Sequence, residues 1–280
     1  MTTTRQRGHH RTIQRVNTEW LALCAGLKPG LRIATDAKAV SNIVDRYRVA
    51  GFHVVLDQGR VGIEGRPRVL VYVARAARDA AALRSIERLI MAPDTSPRSK
   101  ATFTREFGLR LGYPSCCVDS FASRTERGGG RFHPDDRDRV DPDYVHAHEA
   151  YVEQPDWRIN NLLMRQFASL ISFAPCRFDC TRAVEQAAGI LALVRSHSIA
   201  AETSLTAMLR RPLAIHPSGG RVWVEVTAER VTGAWPPGGM PGGVVDVGNN
   251  EAAILCMGAG VADGRLCGLG DPRPIVLNFC

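Results

Sequence analysis

Four cysteines stand out by type and spacing: Cys116 and Cys117 in LGYPSCCVDSF, and Cys176 and Cys180 in FAPCRFDCTRAVEQAAG. Each pair follows a proline and opens a stretch of helical periodicity. A proline is tolerated in a first helical turn, where its missing N–H would have no partner anyway. Cys176 and Cys180 stand at i and i+4, which predicts one shared helix face. The spacing therefore predicts thiols at two helix N-termini, where unpaired N–H groups and the positive dipole end favour thiolate over thiol. Two such ends facing each other would form a cage of soft anionic ligands.

Such a cage suits a metal. The C-x₃-C spacing of the second pair falls in the range used by structural zinc. Adjacent cysteines reach a single tetrahedral ion only with chain strain, and reach two irons of a cluster more easily. On this reasoning an iron–sulfur cluster, [4Fe–4S] first, ranks ahead of zinc. A metal-free redox or nucleophilic thiol, and cysteines buried as small apolar residues, are the further alternatives. If three thiolates held a cluster, one iron would be open to bind and polarise a small molecule, as Lewis acid or sulfur carrier. That chemistry fits a lyase, transferase or oxidoreductase, including sulfur transfer or biosynthetic tailoring. Consecutive helical side chains diverge by about 100°, so one of Cys116 and Cys117, with Cys117 favoured, is expected to ligate while the other faces the substrate as nucleophile or sulfur acceptor. Cys116 is a candidate both as metal ligand and as catalytic thiol. No C-x₃-C-x₂-C segment supports radical chemistry on S-adenosylmethionine. The alternative is a zinc-stapled module that binds protein or nucleic acid without catalysis.

Further candidates follow from position. Asp119 and Asp179 flank the cysteines and would act as acids. Arg177 and Arg158 would hold an anionic or amino-acid-like substrate, and Asn160 and Asn161 would present amides from an apolar helical face. His146 and Glu149, at i and i+3, are candidates for a second metal, without an evident third ligand. Cys24, Cys256, Cys267 and Cys280 lie in apolar contexts and are expected to be buried small residues.

The segment GYPSCCVDSF, followed by WRINNLLMRQFASLISFAPCRFDC, resembles an uncharacterised prokaryotic family marked by G-Y-P-x-C-C-x-x-x-F and a later P-C-x-x-D-C. The resemblance covers about residues 100–195. It implies a domain in which Cys116, Cys117, Cys176 and Cys180 occupy the family's cysteine positions, and it implies no reaction.

The elements that must position these groups are legible in outline. Residues 1–16 are polar, Arg-rich and aperiodic, and are expected to form a disordered tail. Residues 17–95 read as a small α/β layer of order β-α-β-β-α, with Asp36 as a helix cap. Residues 96–211 read as a helical cysteine domain, including one long helix over 144–171 and an exposed charged loop through RTERGGGRFHPDDRDRVDPD. Residues 212–280 read as a β-rich segment packed on that core. The fold class is thus α+β.

Composition excludes several functions. At 280 residues, with 45% hydrophobic and 23% charged side chains, the chain is of ordinary globular type. No apolar run approaches the roughly 20 residues of a membrane span. The N-terminus has no secretory h-region, which points to the cytoplasm. Net charge is +8, and only Lys28, Lys38 and Lys100 are lysines among 36 basic residues. The arginines are dispersed and aromatics are 6%, so nucleic-acid binding is not favoured and a small-molecule substrate is. Nothing in the pattern reads out an oligomeric state. No G-x-G-x-x-G or P-loop supports a nucleotide site.

Overall fold

The computed structural model describes residues 17–61, 67–127, 142–162, 169–215, 221–226, 231–234, 245–246, 260–262, 265–267, 275–277 and 279. The expected tail, most of the charged loop, Cys256 and Cys280 lie outside them.

An alternating apolar segment builds the first unit. Strand β3 (Pro67–Ala74) lies between β1 (Gly30–Thr35) and β2 (His53–Val61), antiparallel to both. Successive strand side chains point to opposite faces, and here both faces are apolar. Val69, Val71 and Val73 pack with Leu23, Tyr47 and Phe52, from α1 (Thr18–Cys24), α2 (Val40–Val49) and the turn after it. Leu70 and Tyr72 pack on the other side with Leu83 of α3 (Ala77–Met91) and Leu111. The order β1-α2-β2-β3-α3 is the expected one, and Asp36 Oδ1 accepts the N–H of Ala39 at 2.9 Å. Helix α1 precedes the expected order, and Cys24 at its end is exposed rather than buried.

Helix α4 (Pro97–Arg110) ends in a tight motif that aims the chain at the first cysteine pair. The N–H of Gly112 donates to Leu109 O, and that of Tyr113 to Gly108 O, both at 3.0 Å. This paired closure needs a left-handed residue, and Gly112 has φ +78°. Pro114 cannot continue α4 and caps α5 (Ser115–Glu126). The two helices pack closely because a Cβ on Gly108 would stand only 2.8 Å from Val118 Cγ2.

The long helix expected over 144–171 is instead short. Helix α6 runs Pro142–Glu149, followed by a single 3₁₀ turn at Trp157–Ile159. Pro155 cannot donate within a helix, and Asp156 accepts the N–H of Arg158, restarting the chain as a turn. Asn160 and Asn161 therefore leave the helix altogether. Helices α7 (Thr181–His197) and α8 (Ile199–Leu209) follow, with Ser198 capping the second.

Beyond them, β4 (Leu213–Ile215), β5 (Arg221–Val226), β6 (Val231–Ala234), β7 (Val245–Asp246) and β10 (Ile275–Leu277) form a sheet of order β10-β4-β5-β6-β7. Strands β8 (Gly260–Ala262) and β9 (Arg265–Cys267) pair separately. Leu213, Ile215, Leu277 and Phe279 share a core with Tyr144, Ala147 and Phe178. The chain is α+β. No helix among the described residues is long and apolar enough to cross a membrane.

Candidate metal centre

Helix α7 presents a stripe of Ala183, Ala187, Ile190 and Val194, at helical spacing and buried against Ala22 of α1 and Leu205 of α8. Two polar contacts set its height against the α4–α5 turn. Arg182 Nη1 donates to Ser115 Oγ at 2.9 Å, and Gln186 Nε2 donates to Gly112 O at 3.0 Å. The N-termini of α5 and α7 are thereby brought together.

Four sulfurs meet there. Cys116 and Cys117 lie in the first turn of α5. Cys180 is the N-cap of α7, and Cys176 lies four residues earlier in the incoming loop rather than on the helix. The expected i, i+4 helical pair is thus a loop residue and a cap. Sγ of Cys116 stands 3.6 Å from that of Cys180 and 4.0 Å from that of Cys117, and the Cys117–Cys180 separation is 3.7 Å. With Cys176 included, all four sulfurs lie within 4.8 Å of one another. Cys117 is buried at 2% exposure, whereas the other three are half-buried.

The loop carrying Cys176 is tied down from several sides. Thr18 Oγ1 donates to Ser169 O at 2.9 Å, and Asn161 Nδ2 donates to Phe173 O at 3.0 Å. Lys28, only 2% exposed, donates to Ser172 Oγ at 2.8 Å and to Glu19 Oε2 at 2.5 Å, and sits 5.0 Å from the ring centre of Tyr113. Burial lowers the Lys28 pKa, and Glu19 opposes the shift. Sequence reasoning missed this group. The signal was one of only three lysines standing in AGLKPGL, among apolar and turn residues.

The thiols respond differently to this setting. Burial pushes Cys117 well up, with the neighbouring sulfurs adding to the effect and the Cys176 N–H opposing it. Burial, with Cys180 and Cys116, pushes Cys176 up to about 11. At Cys180 burial also raises the value, but the N–H of Ala183 and hydrogen bonds from the other three thiols outweigh it, and the net shift is downward. The expected gain from helix N-termini therefore shows at Cys180 and is overridden by desolvation at Cys117. Four thiolates at these distances repel one another unless a cation sits among them. The donor set fits a soft or borderline metal ion.

No family model, curated protein or solved structure matches the chain. The geometry of the site alone carries the functional reading.

The other sequence candidates fall around this centre rather than in it. Asp119 is exposed and pairs with Arg105 of α4 at 3.1 Å. Asp179 pairs with Arg177 at 2.7 Å on the surface, and Arg158 forks onto Asp156. Asp156 and Asp179, with Gln154, Pro155, Trp157 and Thr181, line an open groove of about 360 Å³ beside Cys180. Asn160 Nδ2 donates to Leu209 O at 3.1 Å and its Oδ1 accepts the N–H of Leu162 at 3.3 Å, so its amide bridges two buried backbones. At the second metal candidate, Arg124 Nη1 stands 2.5 Å from His146 Nδ1 and 3.5 Å from Glu149 Oε2. A guanidinium occupies the place between the two ligands, and burial, then Arg124, pushes His146 well below its ordinary value.

Proposed function

We propose that this chain is a metal-stapled binding protein in which Cys116, Cys117, Cys176 and Cys180 hold one tetrahedral ion, zinc in the first instance. The observation that carries it is the mutual separation of the sulfurs. Four ligands about 2.3 Å from one zinc ion form a tetrahedron with edges of about 3.8 Å. The separations of 3.6, 3.7 and 4.0 Å match such edges without movement of either helix. In a [4Fe–4S] cluster the thiolates radiate from four separate irons and stand further apart. Loading that cluster would require α5 and α7 to part. In this reading the ion locks the N-termini of α5 and α7 to each other beside the α7 core stripe. A reducing compartment such as the cytoplasm keeps the thiols available for metal. The family resemblance is part of the proposal, since its two segments are the ones that supply the four sulfurs.

The catalytic reading has one supporting observation of its own. The groove beside Cys180 is bordered by the Arg158–Asp156 and Arg177–Asp179 pairs, whose mixed charges suit an amino-acid-like molecule. It requires an open iron next to that groove.

Metal, iron and sulfide analysis of anaerobically purified protein, with an absorption spectrum, separates the two. A colourless protein with about one zinc per chain and no sulfide is the expected result. A brown protein with stoichiometric iron and sulfide overturns the zinc reading.

A further inference from the structure

The four sulfurs are not equivalent towards solvent. Cys117 is buried and accepts the N–H of Cys176, whereas Cys116, Cys176 and Cys180 are all half-buried; of these three, Cys116 and Cys180 stand at the two helix ends that meet. Their Sγ–Sγ separation of 3.6 Å is the shortest of the three measured among Cys116, Cys117 and Cys180. Forming a disulfide would shorten that gap to roughly 2.05 Å. Cys116 and Cys117 are adjacent in one helix, and a bond between them would close a small strained ring. We propose that Cys116 and Cys180 form a site of reversible oxidative modification, in which a hydroperoxide converts the metal staple into a disulfide staple.

The chemistry balances with the oxidant named. One thiolate attacks a peroxide oxygen, the O–O bond breaks, and the sulfur becomes a sulfenic acid while one oxygen leaves as water or alcohol. The second thiol attacks that sulfur, the S–S bond forms and water leaves. Two electrons pass from the two sulfurs to the peroxide. Two of the four ligands are then lost to the metal, and Cys117 with Cys176 cannot retain it alone. The new bond joins the same two helix N-termini that the ion had joined, so α5 and α7 stay coupled while the ion is set free. A thiol reductant reverses the step by disulfide exchange.

The metal-release half of this inference rests on the zinc reading above; the choice of cysteine pair does not. The test uses the full chain, loaded with zinc and assayed for zinc content first, then treated with hydrogen peroxide. Released zinc is followed with a chromogenic chelator, and thiols are mapped by differential alkylation and mass spectrometry. The expected result is a Cys116–Cys180 disulfide, with about one ion released per disulfide and recovery after reduction. A disulfide joining any other pair overturns the proposal, and so does a sulfinic acid formed at Cys116 without a disulfide. If the chain takes up no zinc, the zinc reading fails, and the same mapping on the metal-free protein still decides the pair. Cys116→Ser, also mapped metal-free, should leave Cys180 reduced or as a mixed disulfide with added thiol; an internal disulfide from Cys180 in that variant overturns the assignment.

Discussion

The backbone N–H of Cys176 donates to the Sγ of Cys117 at 3.4 Å. The contact joins the loop before α7 to the first turn of α5 across 59 positions of sequence. It gives the most buried sulfur a donor that favours its charged form, and it fixes the loop so that Cys176 Sγ faces the other three. A neutral thiol uses that donor weakly and a metal-bound thiolate uses it well.

Equal loss of metal from unequal positions is therefore expected. Cys117→Ser and Cys176→Ser each remove one of four ligands, and each should reduce bound metal from about one ion per chain to near zero. Cys24→Ser should leave metal content intact and change stability by less than about 0.5 kcal/mol, since Cys24 is exposed. Elemental analysis of the three variants checks this, and full metal content in Cys176→Ser would refute a shared site.

Metal affinity should rise with pH. In the metal-free protein Cys176, pushed up to about 11, and Cys117, raised further by burial, hold their protons at neutral pH. Each proton that the metal must displace contributes about a tenfold change in affinity per pH unit. Zinc competition titrations at pH 6, 7 and 8 should show progressively tighter binding. A flat profile would contradict protonated thiols in the free site.

The sign for the metal-free fold is opposite. Above the ordinary cysteine value of 9.0 the unfolded chain releases thiol protons that Cys117 and Cys176 retain in the folded state. The folded state then binds more protons than the unfolded one, so stability falls as pH rises through that value. Denaturant titrations of chelator-treated protein at pH 7.5 and 9.5 should show the lower midpoint at 9.5. Zinc-loaded protein should show little difference.

Lys28→Met should weaken both fold and site. It leaves Glu19 beside the core without its cation and Ser172 without its donor. Removing one member of a buried pair costs about 3–5 kcal/mol; Glu19 keeps 30% exposure, so about 2 kcal/mol is expected. Adding Glu19→Gln to that variant should recover part of the loss. Thermal melting and zinc content read out the two effects together, and an unchanged melting temperature would remove Lys28 from the support of the ligand loop.

Gly112→Ala should act on the turn that delivers the first cysteine pair. The residue has φ +78°, and an added Cβ would stand 2.5 Å from Pro29 Cδ. Strain of about 1–3 kcal/mol follows from the left-handed conformation and the contact. The melting temperature should drop and metal affinity should fall with it. Gly51→Ala, also at positive φ but with nothing within 4 Å, should lower the melting temperature less and leave metal affinity unchanged.

Much of this molecule was readable before folding was considered, because the relevant signals are local. The run of Val69 to Val73 announces a strand covered on both faces, since side chains alternate regardless of partner. Proline before each cysteine pair marks a change of element, and thiols of that number and spacing imply a soft-metal site. Tertiary structure alone decided which atoms meet. The i, i+4 spacing suggested that Cys176 and Cys180 share a helix, but α7 begins only at Thr181, which leaves Cys180 as its N-cap and Cys176 as a loop residue. Asp119, Asp179, Arg158 and Arg177 carry the right chemistry for a site, and their nearest opposite charges took them first. The sulfur separations depend on how closely two helix ends approach. That approach rests on the packed stripe of Ala183 and Ala187 and on the contacts of Arg182 and Gln186 with the α4–α5 turn, and spacing along the chain does not encode it.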